Sequence, residues 1–165
     1  MIELFICYLG LTFFLSYIIS YIVIKGVPRS ISETSYIIKD TIRTTAYFSL
    51  MCFIAAVCVF PLWIKLTPEN FEFIPFVSCL TIIFVGTTPL YRKDIESKIH
   101  YTCGIIGFSL AILWLILMKQ YIHLGVMMLI GTIWTYITPR KYTFIFEVIA
   151  YVGLCISLIL KYLYL

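Results

Sequence analysis

Six apolar runs, each close to the length of a membrane crossing, leave this chain few folds to choose from. They are Ile2–Ile24, Thr44–Leu66, Phe73–Tyr91, Tyr101–Met118, Tyr121–Thr138 and Thr143–Leu160, with charged or polar punctuation between them. A hydrocarbon core about 30 Å thick takes roughly 20 helical residues to cross. In a chain of 165 residues, six crossings leave no room for a globular domain beside the membrane. The same arithmetic excludes a dinucleotide-binding unit, a zinc-finger array and a nucleic-acid-binding module. The runs are continuous rather than alternating, which argues against a β-barrel. Composition agrees: 62% of residues are apolar, 12% are charged, and mean hydropathy is +1.05. A soluble domain is about half apolar and about a quarter charged. The expected fold class is therefore all-α, a single transmembrane bundle over residues 1–165. An even helix count puts both termini on one side.

The opening Met1-Ile2-Glu3-Leu4 has no basic region, and the run to Ile24 is too long for the core of a signal peptide. It reads as the first membrane helix. Lys119 and Gln120 alone separate the fourth and fifth runs, so those two are expected to form a tight antiparallel hairpin. The Lys and Arg residues set the orientation. Lys25, Arg29, Lys39, Arg43, Arg92, Lys93, Lys98, Arg140 and Lys141 fall in odd-numbered loops. Lys65, Lys119 and Lys161 fall on the other face. That bias predicts cytoplasmic odd loops in a plasma or inner membrane, with both termini outside. Trp63 and Trp134 are expected at the membrane interfaces.

Cys7, Cys52, Cys58, Cys79, Cys103 and Cys155 all lie inside apolar runs, with no C-x-x-C pair. They are read as small apolar side chains rather than as disulfides or zinc ligands. Pro75 belongs in the first turn of the third helix, where a missing N–H costs little. Pro61 and Pro89 should bend or end their helices. Gly104, Gly107, Gly125 and Gly131 are read as sites of close helix packing.

Most other polar residues collect at the odd-loop end by connectivity alone. Glu147 is the most informative, because an ionisable group inside an apolar run is costly and faces a partner or water. Arg92, Arg140, His100 and Lys141 are its nearest candidates in sequence. A structural ion pair or hydrogen bond competes here with a ligand-binding or catalytic carboxylate. His100 could act as base, metal ligand or proton relay. With no second histidine nearby, an interfacial histidine at a helix start is preferred. His123 falls on the opposite face, so a multi-histidine metal site is not expected, nor is any cofactor. Ser30-Ile31-Ser32-Glu33 reads as a capping box, with Ser30 as N-cap and Glu33 reaching back. Ile31, Ile37, Ile38 and Ile42 then suit a short interfacial helix. Asp94 and Lys98 are spaced to pair on a helix surface.

The order of these residues resembles the Frag1/DRAM/Sfk1 family and the related six-helix DUF998 proteins. The resemblance rests on Pro28-Arg29-Ser30-Ile31-Ser32-Glu33-Thr34 after the first helix, and on Gly86-Thr87-Thr88-Pro89 followed by an acidic loop and His100. It rests also on Glu147 in the last helix. Helix number and order agree over nearly the whole chain. Glu33 stands where the DRAM branch carries Asp. The resemblance implies a membrane-embedded polar site of Ser32, Glu33, Asp94, His100 and Glu147, with Arg92 and Arg140 as its cationic neighbours in sequence. It also implies a link to lipid remodelling or lipid-anchor processing. Ceramidase-like membrane hydrolases are more distantly similar, but this chain lacks their clustered histidines.

Three roles compete. The first is a bundle that binds or modifies a lipid or other amphiphile at the odd-loop boundary. A hydrolase version would use Ser32 as nucleophile, or a water activated by His100, oriented by Asp94 or Glu147. A non-enzymatic role is preferred on sequence alone. The second is an oligomeric pore or membrane effector. The nearly unbroken apolar centres of the second, fourth and sixth runs count against it. The third is a structural subunit bound to another copy or to a membrane-protein partner. The expected contacts are membrane lipids and not nucleic acid.

Overall fold

The computed structural model describes residues 1–89, 94–137 and 142–164. Within them the chain is all helical: α1 (Ile2–Lys25), α2 (Glu33–Ile42), α3 (Ala46–Lys65), α4 (Phe73–Thr87), α5 (Asp94–Leu117), α6 (Tyr121–Ile137) and α7 (Tyr142–Leu163). A 3-10 turn, Glu69–Phe71, leads into α4. Among the described residues, five spans are long and apolar enough to cross a membrane: Ile2–Lys25, Ala46–Lys65, Glu69–Thr87, Ile95–Leu117 and Thr143–Leu163. The expected fifth crossing, α6, is apolar but has 17 residues.

Side-chain volume and helix ends explain the boundaries. α1 stops where Gly26 adopts φ 80°, a conformation open to glycine and strained for other residues. The α5–α6 hairpin turns on Lys119 at φ 56°. There the Gln120 N–H reaches the Leu115 carbonyl, closing α5 with a left-handed cap. α3 continues through Pro61 to Lys65, so that proline does not end the helix. Pro75 does sit in the first turn of α4, and α4 ends before Pro89.

α5 differs most from expectation. It starts at Asp94, not Tyr101, so His100 lies within the helix rather than opening it. An acidic Glu96 in the first turn suits the positive end of a helix dipole, which a hydropathy reading cannot register.

The helices close a ring. α3 packs on α1 and α4, α4 on α5, and α7 on α1 and α6. One core cluster centres on Trp63, Trp114, Leu62, Cys155 and Leu158. Trp63 is 0% exposed and meets Trp114 edge-on, with ring centroids 5.9 Å apart. It is a core residue, not the interfacial anchor expected. Val59, Leu62, Trp63 and Leu66 are spaced on one helix face, and that face points inward. Trp134 is 52% exposed. The second cluster holds Phe14, Ile31, Phe48, Phe144 and Ile145 beneath the α1–α2 connection. Cys7, Cys52, Cys79 and Cys155 are buried, Cys58 and Cys103 half-buried, and all six are free thiols.

Two of the four glycines expected at close contacts make them. A Cβ on Gly107 would lie 2.5 Å from Thr81 Oγ1, and one on Gly131 would lie 2.9 Å from Phe146. Gly104 and Gly125 face open space. At the far end of the bundle from α2, the Met1 amino group donates to the Tyr162 hydroxyl at 2.8 Å. Lys65 bonds Glu3 at 2.9 Å in the same region.

Candidate functional site

The segment Arg29–Ser35 folds inward over one end of the bundle and ties four helices to itself. Its local shape follows from its hydroxyls. The Glu33 N–H donates to Ser30 Oγ at 3.1 Å, the bond of a capping box, but α2 begins at Glu33 with Ser32 as its N-cap, so Ser30 is not the N-cap expected. The reciprocal bond lands one residue early: the Arg29 N–H, not that of Ser30, donates to the Glu33 carboxylate at 2.6 Å. The Thr34 hydroxyl donates to the Ile31 carbonyl at 2.6 Å, and the Ser35 hydroxyl to the Ser32 carbonyl at 2.8 Å. With these turns satisfied internally, the segment can be buried without stranding its polar groups. Ile31, Ser32, Thr34 and Ser35 are all buried.

The outward ties are long-range. Toward α1, Thr34 Oγ1 and Tyr17 Oη share a hydrogen bond of 2.6 Å. Toward the end of α4, the Ser35 hydroxyl shares its one proton with the Pro89 carbonyl, 2.6 Å away. Toward α7, the Phe144 N–H donates to the Arg29 carbonyl at 2.9 Å, and the Ile31 N–H to Glu147 Oε2 at 2.5 Å. Toward α5, Ser32 Oγ lies 2.7 Å from His100 Nε2.

The imidazole is held on both sides. His100 Nδ1 lies 3.0 Å from the Thr88 carbonyl oxygen, which can only accept. Nδ1 therefore carries the proton in the neutral ring, Nε2 is the acceptor, and the Ser32 hydroxyl donates to it. Phe48 of α3 stacks on the ring at a centroid distance of 6.4 Å. Ser32 is 7% exposed and His100 5%. The expectation of an interfacial histidine at a helix start is therefore corrected: His100 is a buried, doubly bonded group.

Of the residues singled out in sequence, Ser32 and His100 are brought into contact. Glu147 reaches the same segment one residue away, at the Ile31 N–H. Glu33 accepts from the Arg29 N–H within that segment. Arg92, Arg140 and Lys141 lie outside the described residues, as does the side chain of Asp94 and with it the Asp94–Lys98 pairing. His123 lies on α6, apart from this cluster.

Sequence reasoning missed Tyr17, Ser35, Phe48 and the role of the Thr88 carbonyl. Gly86-Thr87-Thr88-Pro89 was visible as a motif, and its geometry gives each end a task. A Cβ on Gly86 would stand 2.7 Å from Cys52 Cβ, so α3 and α4 meet there at glycine distance. Ser49 Oγ donates to the Gly86 carbonyl at 2.7 Å. Outside this contact lies a groove of about 710 Å3 between α3 and α4. Thr44, Ser49 and Thr87 line its polar part, and Leu50, Phe53 and Ile83 its apolar part.

No set of three or more His, Cys, Asp or Glu side chains among the described residues is placed to hold a metal ion. Compared with known proteins, the chain matches no family model, no curated protein and no solved structure.

Proposed function

We propose that the chain is a six-crossing integral membrane protein that binds a lipid or another single amphiphile at its odd-loop end, with odd loops cytoplasmic and both termini opposite. The observation that carries this reading is the α3–α4 groove. It is polar where Thr44, Ser49 and Thr87 line it and apolar along Leu50, Phe53 and Ile83, as a molecule with a head and a chain requires. Apart from Thr44, the groove's lining belongs to two spans of membrane length, so its occupant arrives from the bilayer. The Met1–Tyr162 hydrogen bond supports termini on a common side. The meeting of Ser30–Ser35 with Gly86–Pro89, His100 and Glu147 supports treating the segments behind the Frag1/DRAM/Sfk1 and DUF998 resemblance as one functional unit.

Native mass spectrometry of protein released from lipid nanodiscs tests the reading, because it reports subunit count and retained molecules together. The expected result is a monomer or dimer carrying one defined lipid, with retention lowered by Ser49→Leu in the groove. A closed ring of four or more subunits with no retained molecule would replace this reading with the oligomeric pore.

A further inference from the structure

Ser32 and His100 have the mutual geometry of a nucleophile and its base. The Oγ–Nε2 distance is 2.7 Å, within the reach needed for proton transfer. The Nδ1–H bond to the Thr88 carbonyl fixes the tautomer in which Nε2 is the acceptor. The Phe48 ring packs against the imidazole and limits its rotation. These are the three requirements of an activated serine: a hydroxyl, a base in contact with it, and a third group that orients the base. Burial of both side chains strengthens the hydrogen bond between them. Thr87 lines the groove and is next in sequence to Thr88, whose carbonyl holds His100.

We infer that Ser32 is a nucleophile activated by His100 and directed at the ester carbonyl of an acylated amphiphile. The substrate class rests on the amphiphile reading above, whereas the nucleophile does not. In the first step a bond forms between Ser32 Oγ and the acyl carbon, and the hydroxyl proton passes to His100 Nε2. The ester C–O bond breaks, and the departing alcohol takes that proton, leaving acyl-Ser32. Water then attacks the acyl carbon and gives a proton to Nε2. The Oγ–acyl bond breaks, the proton returns to Ser32, and the acid departs. Net, one ester and one water give one acid and one alcohol. The orienting group is a neutral carbonyl rather than a carboxylate, so it stabilises the imidazolium less, and turnover should be slow.

The test is an alkyl fluorophosphonate applied to the full chain in nanodiscs, read by intact mass and peptide mapping. Here Oγ bonds to phosphorus, fluoride leaves and the proton goes to His100. One adduct on Ser32 is expected, absent in Ser32→Ala and unchanged in His123→Ala. In His100→Gln the side-chain amide can still hydrogen-bond Ser32 but cannot take its proton, so labelling should slow by about 100-fold or more. An equal rate in a folded H100Q overturns the inference, as does an adduct on another residue or no adduct on the wild-type chain. The last two readouts need no variant that might misfold. Retained lipid without an adduct overturns the nucleophile alone. An adduct without retained lipid supports the nucleophile and overturns the amphiphile reading.

Discussion

Glu147 and Ile31, 116 residues apart in sequence, are joined by a hydrogen bond of 2.5 Å from the Ile31 N–H to the carboxylate. An acid inside an apolar helix is expensive, and here it satisfies a backbone donor in a buried turn. Removing the acceptor leaves that N–H stranded, at a cost of about 1–3 kcal/mol. Glu147→Ala should therefore lower the unfolding temperature in detergent. Glu147→Gln keeps a carbonyl oxygen in the same place and carries no charge to desolvate, so it should stay close to wild type. Equal melting of E147A and wild type would show that the bond contributes nothing.

The two histidines should behave oppositely. His100→Ala breaks the contacts to Ser32 and Thr88 and opens space beneath Phe48. A loss of about 1–3 kcal/mol is expected from the stranded hydroxyl alone. His123 has a buried Nδ1 without a hydrogen-bond partner among the described residues. Removing such a group relieves a cost, so His123→Ala should be neutral or slightly stabilising. Thermal melts of the two variants side by side check the order. A reversed order would mean that the Ser32–His100 contact does not hold the segment in place.

The spans were legible because burial in lipid leaves a one-dimensional signature: length and hydropathy suffice for α1, α3, α4 and α7. The start of α5 was not, because Asp94, Glu96 and Lys98 belong to a helix that continues past the apolar run. Trp63 was misplaced for a related reason. Its height in the membrane is readable from sequence position, but the inward turn of its face depends on which neighbours pack there. The polar end was legible as a set of residue types and not as contacts. Ser32 and His100 meet only because Ser30, Thr34 and Ser35 satisfy the turn internally, and because α5 begins early enough to carry His100 under it. No spacing rule encodes that pairing, since it joins residues 68 apart.

Thr67 ties the tryptophan pair together. Its hydroxyl donates to the Trp63 carbonyl at 2.6 Å and accepts from Trp114 Nε1 at 2.8 Å. Thr67→Val keeps the shape and removes both roles. The indole N–H is then buried without an acceptor, at a cost of about 1–3 kcal/mol. Chemical unfolding followed by tryptophan emission should show an earlier midpoint. Thr67→Ser should recover most of the difference, because it restores the oxygen. Failure of Ser to recover it would assign the loss to packing of the γ-methyl group instead.

Two glycines inside helices separate packing from propensity. Alanine is favoured over glycine by about 1 kcal/mol in a helix interior, so Gly→Ala stabilises wherever there is room. A Cβ on Gly104 of α5 would meet nothing within 4 Å, so Gly104→Ala should raise the unfolding temperature slightly. A Cβ on Gly10 of α1 would instead collide with the Cβ of Cys58 on α3. A Cβ cannot swing away as a side-chain tip can, so α1 and α3 must separate. Overpacking of this kind costs about 1–3 kcal/mol, which exceeds the propensity gain. Gly10→Ala should destabilise, and adding Cys58→Gly should recover only part of the loss, because it returns the space but puts a glycine inside α3. Unchanged melting of the G10A variant would mean that the α1–α3 contact is looser than its glycine implies.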